Sequence, residues 1–471
     1  MTEVTSTGEA VSEGTGGGEQ KTYASKKGVW GWILYDWAAQ PYFTLVLTFI
    51  FGPYFVSKLA ATPEIGQAYW TWATGIAGIL IAIFSPFLGA IADAGGPRKT
   101  WIAAFSLFFI VGSAMLWFGA PGVEYGMLIA LVGFVIATVG AEFGIVFTNS
   151  MMPDLVPKER LGRLSGTGWA MGYVGGLVTL ILMLALIIPS GSENTTMIGM
   201  PSILGFKTDD FSGPRFSGVL TAVWYAIFVI PLFLFTPDAP RRKALSQAAS
   251  DGVAQLKATL STWRKHLNMF KYLLVSMLYR DALVGVFALG GIVGAAVFDW
   301  PITTVGIYGI LLSVTGALGA FVGGKIDDKI GPKKVILLGI TILFFGTVAT
   351  LSIGKGYIFF YFPVVPPVEG GGLFASTAEL TFVIVGAIVG LAVGPLQAAS
   401  RTMLIHIAPE GKITEFFGLY ALSGKATSFV VPLSIGFVTY LSNDFRIGLT
   451  PILVAFAIGF VGMLFVKDKR S

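Results

Sequence analysis

A short, glycine-rich polar stretch occurs twice in this chain, and it constrains the fold more than any other feature of the sequence. Both copies follow the pattern G-x-x-x-D-x-x-G-P-(R/K)-K, are offset by 235 residues and lie between long apolar runs. Glycine permits close backbone approach, proline opens a new helix, and the acid can cap a neighbouring helix or pair with an arginine. We therefore expect a tight turn between helices in each of two similar halves, formed by Gly89, Asp93, Gly96, Arg98 and Lys99 and by Gly324, Asp328, Gly331, Lys333 and Lys334.

Long apolar segments account for most of the chain. The composition is 54% hydrophobic and 12% charged, with a mean hydropathy of +0.77, which is typical of a polytopic membrane protein and not of a soluble enzyme. Each segment is close to the ~20 residues that cross ~30 Å of hydrocarbon. The sequence predicts an all-α membrane protein with twelve transmembrane helices at about 31–58, 67–92, 100–119, 125–152, 165–188, 216–236, 271–298, 301–325, 334–353, 379–406, 413–440 and 447–467.

Lysine and arginine are distributed unevenly between the loops. The even-numbered loops and both tails hold 23 of these residues, and the odd-numbered loops hold five. Because positive residues accumulate on the cytoplasmic side of a membrane, both termini are expected in the cytoplasm. The formal net charge of +5 then has a topological cause, and nucleic acid is not expected as a partner.

Composition divides the chain into four regions. Residues 1–27 are almost free of apolar side chains and are expected to form a disordered cytoplasmic tail. Residues 28–236 and 271–471 hold six segments each, and residues 237–270 connect them. Apolar residues in the connection recur at helical spacing, which predicts an amphipathic helix that lies on the cytoplasmic membrane surface or docks on the floor of the bundle. These residues are Val253, Leu256, Leu260, Trp263 and Leu267.

Charged residues inside apolar segments are costly, and function is their usual reason. They are Asp36, Glu142, Arg280, Asp281 and Lys425, whereas Arg401, near the end of the tenth segment, is expected to reach the lipid headgroups. An acid without a full partner in low dielectric tends to hold a proton, so one of the three acids is expected to take up and release a proton. The alternative is a static ion-pair network that holds the helices in register.

The candidate substrate and coupling site combines these charges with nearby polar residues. Leu34-Tyr35-Asp36 and Leu278-Tyr279-Arg280-Asp281 begin their halves alike if one residue is inserted, so Asp36 and Asp281 are predicted to be equivalent acids. Lys425 is predicted to be their movable partner, with Gln397 and Asn149 as polar contacts and Arg401 nearby. Arg280 and Asp281 are adjacent, and only one of them can face the cavity directly.

The paired loop resembles the signature of the major facilitator superfamily. That resemblance implies two pseudo-symmetric six-helix bundles that rock around a central site, and a gating role for both loops. Stretches such as Leu34–Ala38, Ser165–Gly176 and Gly394–Arg401 are similar to the vacuole-effluxer family, which has autophagy-related fungal members and many bacterial ones. That resemblance implies amino-acid efflux, as in the fungal members. It favours a bacterial plasma membrane, or a vacuolar membrane if the chain is fungal.

The leading hypothesis is a secondary transporter of a small polar solute, amino acids first, coupled to protons and acting as a monomer in the lipid bilayer. An exporter of amphipathic or drug-like compounds and a receptor that has lost transport are the alternatives. An enzyme is not expected, because no nucleophile–base pair or metal cluster can be assembled from the residues. The chain has no cysteine and only two histidines, so no cofactor and no metal are expected.

Overall fold

The computed structural model describes residues 22–189, 194–300, 302–367 and 372–468. The long helices in these residues are α1 (Lys26–Leu59), α2 (Pro63–Gly95), α3 (Lys99–Phe118), α4 (Gly126–Leu155), α5 (Lys158–Ile187), α6 (Ser212–Phe235), α7 (Leu245–Ser261), α8 (Leu267–Phe298), α9 (Ile302–Ile330), α10 (Pro332–Leu351), α11 (Thr377–Ile407), α12 (Ile413–Ser442) and α13 (Phe445–Leu464). A hairpin of β1 (Tyr357–Ile358) and β2 (Phe362–Pro363) lies between α10 and α11.

Eleven helices in the described part of the chain are long and apolar enough to cross a membrane. Their bounds lie close to the predicted segments, since apolar composition decides where such a helix begins and ends. Helix α8 is not among the eleven, although its 32 residues would extend over about 48 Å at the α-helical rise. The all-α architecture is therefore confirmed, and the count of twelve spans stays a prediction.

The two repeated loops lie at one end of the molecule, which we call the repeat end. There α2 of the first half packs on α12 of the second, and α5 packs on α9. A Cβ atom on Gly89 would lie 2.4 Å from the Thr414 carbonyl oxygen, and one on Gly324 would lie 2.5 Å from the Gly162 oxygen. Because only glycine fits these contacts, each repeat uses its first glycine to bring the other half within backbone distance.

Helix α7, in the connection between the halves, docks on the bundle at the repeat end. Its buried face consists of Ala248, Gly252, Leu256 and Thr259, and a Cβ atom on Gly252 would lie 2.7 Å from the Ile91 backbone. The sequence left open whether this helix lies on the membrane surface or docks on the bundle, and the docked placement is observed. The face that docks has smaller residues than the predicted face. Leu260, Trp263 and Leu267 of the predicted face are exposed.

The predicted disordered tail of residues 1–27 is too long. Residues 1–21 lie outside the described residues. The Ala24 N–H donates to the Leu155 carbonyl at 3.2 Å, and the Ser25 side chain caps α1 at its first turn. The last residues of the predicted tail are thus part of the fold.

Candidate functional site

A cavity of about 710 Å³ lies between the two halves. Six of the eight predicted site residues line it, namely Asp36, Glu142, Asn149, Arg280, Gln397 and Arg401, whereas Asp281 and Lys425 do not. Most of the remaining lining is apolar or aromatic, including Phe43, Trp169, Tyr173, Tyr308 and Tyr420. The sequence did not single out these aromatic residues, because an aromatic side chain within an apolar run gives no separate signal.

Arg401 joins the halves at one wall of the cavity, so the expectation that it reaches the headgroups was wrong. Its Nη1 and Nη2 atoms lie 3.1 and 3.2 Å from Asp36 Oδ2. Nη1 also donates to Asn149 at 3.0 Å, while Nε and Nη2 donate to the Ser165 hydroxyl and carbonyl at 3.0 and 2.9 Å. All five guanidinium N–H donors are used. A buried cation with a complete set of partners is fixed in place, which explains why the side chain does not extend toward the helix end.

A second ion pair crosses between the halves. Lys425 Nζ of α12 lies 2.6 Å from Glu142 Oε1 of α4. Glu142 lines the cavity, and its side chain is 21% exposed. The predicted partnership of Lys425 with Asp36 and Asp281 is therefore not observed, because Glu142 holds Lys425 and Arg401 holds Asp36.

The structure also corrects the predicted symmetry of Asp36 and Asp281. Tyr35 and Tyr279 are both fully buried, and the residue after each of them lines the cavity without any insertion. Arg280 is thus the counterpart of Asp36. Asp281 is turned away from the cavity into a buried position beside Thr427.

Polar contacts complete the cavity wall. Gln397 Nε2 of α11 lies 3.3 Å from the Tyr173 hydroxyl of α5 and so also bridges the halves. The Arg280 guanidinium carbon lies 3.9 Å from the centre of the Tyr420 ring. Among the described residues, no three His, Asp or Glu side chains come together as a metal site would require.

The two repeated acids cap helices of the opposite half at the repeat end. Asp93 accepts hydrogen bonds from the backbone N–H groups of Thr414 and Glu415 at 3.2 and 2.8 Å, at the start of α12. Asp328 accepts from the backbone N–H of Arg163, near the start of α5, at 3.0 Å. A carboxylate at a helix N-terminus satisfies free N–H groups and interacts favourably with the helix dipole.

The second glycine of each repeat has a positive φ in both halves, whereas the basic residues that follow it have different contacts. Gly96 and Gly331 both have positive φ, at 103° and 89°, where glycine is favoured. Arg98 lies 3.6 Å from Asp93 and 3.4 Å from Asp154, while Lys99 donates to the Phe233 carbonyl at 3.0 Å. In the second copy Lys333 instead donates to the Leu464 carbonyl at 3.0 Å, and Lys334 follows it at the start of α10.

The connection between the halves also contacts the repeat end. Gln255 of α7 donates to Glu415 at 2.7 Å, and Lys412 donates to Thr259 of α7 at 2.8 Å. His266, between α7 and α8, lies near Lys412 and Glu415. Burial and the neighbouring Lys412 ammonium lower the pKa of His266, so the imidazole is neutral at pH 7.

The helices, the central cavity and the paired capping loops define a multi-pass membrane protein of the major facilitator class. Within that class the chain belongs to the family described as Vacuole effluxer Atg22 like, whose sequence model matches residues 65–471. The predicted family and the predicted all-α major facilitator fold are thereby confirmed, and the chain is a transporter-family protein, not an enzyme.

Individual relatives agree with this placement. The chain is 25% identical over 448 residues to the uncharacterized MFS-type transporter YxiO of Bacillus subtilis (strain 168), covering 93% of this chain and 95% of that one. It is 22% identical over 378 residues to Macrolide efflux protein A of Streptococcus pyogenes, covering 79% and 81%. The fold matches the crystal structure of the major facilitator transporter FucP with a TM-score of 0.69 at 14% identity, over 94% of this chain and 99% of that one.

Proposed function

We propose that this chain is a secondary active transporter of a small polar solute, amino acids first, that works by alternating access and is coupled to protons. The observation that carries the proposal is that two ion pairs, Asp36–Arg401 and Glu142–Lys425, join the halves beside one cavity. Opening the repeat end by rocking the halves would have to break both pairs. Protonation of an acid changes the cost of separating its pair, which is a direct way to link proton binding to the motion.

Glu142 is the better candidate for the proton-carrying acid. Its carboxylate lines the cavity and has one observed partner on the opposite half, Lys425. Asp36 faces a guanidinium that is held by Asn149 and Ser165 as well, so its pair is more firmly anchored. We assign Asp36–Arg401 to closure of the repeat end and Glu142–Lys425 to coupling.

The arrangement in the membrane completes the proposal. Residues 28–236 and 271–471 act as the two moving bundles, joined by residues 237–270, and the protein works as a monomer. The repeat end faces the cytoplasm because the loops and tails on that side carry 22 of the Lys and Arg residues, with Arg401 of the cavity wall left out, against five on the other side. The membrane is the bacterial plasma membrane, or the vacuolar membrane if the chain is fungal.

Export of amphipathic, drug-like compounds is the second candidate. The likeness to Macrolide efflux protein A favours it. A cavity of about 710 Å³ with aromatic walls also falls within the range of roughly 300–1,000 Å³ that suits drug-sized ligands.

Transport by purified protein in proteoliposomes tests the proposal. Wild type should exchange labelled solute by counterflow and accumulate it when a pH gradient is imposed, across a panel of amino acids and drug-like compounds. Glu142→Gln should retain counterflow but lose gradient-driven accumulation, because exchange needs no net proton release. Asp299→Asn is the matched control, since Asp299 pairs with Lys355 outside the cavity. Accumulation by Glu142→Gln with an unchanged pH dependence would contradict the coupling role.

A further inference from the structure

Three basic side chains lie at or near the cavity, and they differ in how many of their donors are already used. Arg401 directs all five N–H groups to Asp36, Asn149 and Ser165. Lys425 is paired with Glu142 and does not line the cavity. Arg401 cannot hold a solute anion without first giving up a partner in the other half, and the charge of Lys425 is already balanced by Glu142. Arg280 is the remaining basic residue in the cavity wall.

Arg280 uses one of its N–H donors in the hydrogen bonds of the described residues. Its Nη1 donates to the Tyr420 carbonyl at 3.0 Å, and its guanidinium carbon lies 3.9 Å from the centre of the Tyr420 ring. Among the described residues it forms no ion pair within 4.0 Å, because its neighbour Asp281 points away from the cavity. A guanidinium has five N–H donors in a planar fork that matches a carboxylate. In the described residues one of these donors has a protein acceptor, and Arg280 is part of the cavity wall.

The position of the Arg280 fork depends on a glycine of α12. A Cβ atom on Gly424 would lie 2.5 Å from Arg280 Nη2 and 2.8 Å from its Cζ. Any larger residue at position 424 would displace the guanidinium from its place over Tyr420. Gly436, also in α12, has no atom within 4 Å of a Cβ placed there, so the two glycines form a matched pair for substitution.

The surroundings of Arg280 indicate the rest of the ligand. The cavity wall includes Val284, Val286, Leu289, Tyr308 and Val393, which offer apolar and aromatic surface. We propose that Arg280 anchors the carboxylate of the transported solute, and that the solute is a monocarboxylate with an apolar or aromatic body. This class includes large neutral amino acids, whereas the Arg280 charge disfavours cationic amphiphiles because like charges repel. The inference rests on the proposed function, since it takes the cavity to be the transport site.

Binding to the purified full-length protein tests the anchor directly. The probes are phenylalanine and 3-phenylpropionate, which carry a carboxylate, and phenylalaninamide and erythromycin, which do not. Both carboxylates should bind wild type and raise its melting temperature, and the other two should not. Arg280→Gln should weaken carboxylate binding by about 10- to 100-fold, as expected for loss of a charge-assisted bond. Arg280→Lys should retain part of the affinity, because the charge remains without the fork.

The glycine pair separates displacement of Arg280 from general damage. Gly424→Ala should weaken carboxylate binding although every charged residue is still present, and Gly436→Ala should bind as wild type does. Equal binding of phenylalanine and its amide, wild-type binding by Arg280→Gln, or failure of both carboxylates to bind would each overturn the anchor. Transport of the amide or erythromycin that does not depend on Arg280 would leave the transporter standing without the anchor. Arg280-dependent binding of carboxylates with no transport of any solute would support the anchor and contradict the transporter.

Discussion

At the residue scale, the number of partners that a charged side chain has decides how freely it can move. Arg401 uses every donor, Lys425 is held by one acid, and Arg280 is bonded to one carbonyl. Asp93 lies between these cases, with two backbone N–H groups and the Arg98 guanidinium around it. The contacts of Asp93 with α12 must break together when the two halves separate at the repeat end. Asp93 therefore acts as a latch that favours the closed position of the halves.

Asp93→Asn tests that latch. The substitution keeps the size of the side chain but removes the charge that interacts with the N-terminus of α12. We expect the closed repeat end to lose about 1–2 kcal/mol, or about 5- to 30-fold in its population, while the protein still inserts and folds. Transport should fall, as measured in proteoliposomes against the amount of folded protein.

Asp328→Asn is the corresponding change in the second half. Its effect should be smaller, because Asp328 is 9% exposed beside Arg163, which is 60% exposed, whereas the Asp93 side chain is 1% exposed. Exposed charge interactions are weakened by solvent and salt. If Asp93→Asn folds and transports normally, Asp93 serves only helix packing and the latch is wrong.

The charged residues of the site could be recognised in the sequence, but their partners could not be predicted from it. A charge in an apolar run is visible in the sequence, which is why Asp36, Glu142 and Arg280 were identified. Their partners depend on how each helix is rotated, and adjacent residues differ by about 100° around the axis. Asp327, buried and bonded to Thr402 at 2.6 Å, was missed because it stands beside Asp328 in what reads as a polar loop.

At the scale of elements, α7 shows how a helix of the connection becomes part of a gate. It packs on α2 through Gly252 and bonds to the start of α12 through Gln255 and Thr259. It therefore contacts both halves at the end where they are closed. The sequence indicated a helix here from its apolar spacing, but of the docked face only Leu256 belongs to the predicted set, and its other three residues are small.

Gly252→Val should detach α7 from the bundle. The added side chain would meet the Ile91 backbone at 2.7 Å, which backbone atoms cannot relieve by a rotamer change. With Leu256→Cys as the reporter in a chain that has no cysteine, we expect alkylation to rise at least tenfold. Ala254→Val on the exposed face of the same helix is the control and should leave the rate unchanged. An equal rate in both variants would show that α7 does not depend on this contact.

At the scale of the whole molecule, the twofold repeat of the sequence corresponds to a reciprocal arrangement of the halves. Asp93 of the first half caps α12 of the second, and Asp328 of the second caps α5 of the first. The offset of 235 residues predicted two similar units. It could not predict which end of the molecule is closed, because both states of an alternating-access protein use the same sequence and differ by small free energies.

Labelling of single cysteines tests both the orientation and the closed end. Ser246 lies at the start of α7 at the repeat end, Asp209 lies in the loop before α6, and Thr48 lines the cavity, and all three are exposed. Because 22 of the Lys and Arg residues lie on the side of Ser246, Ser246→Cys should react with an impermeant reagent only from the cytoplasm. Asp209→Cys should react only from outside. With the repeat end closed, Thr48→Cys should also react from outside, and Asp93→Asn should slow that reaction as the population shifts to the inward-open state. Labelling of Ser246→Cys and Asp209→Cys from the same side would contradict the topology, and labelling of Thr48→Cys only from the cytoplasm would show that the repeat end is open in the membrane.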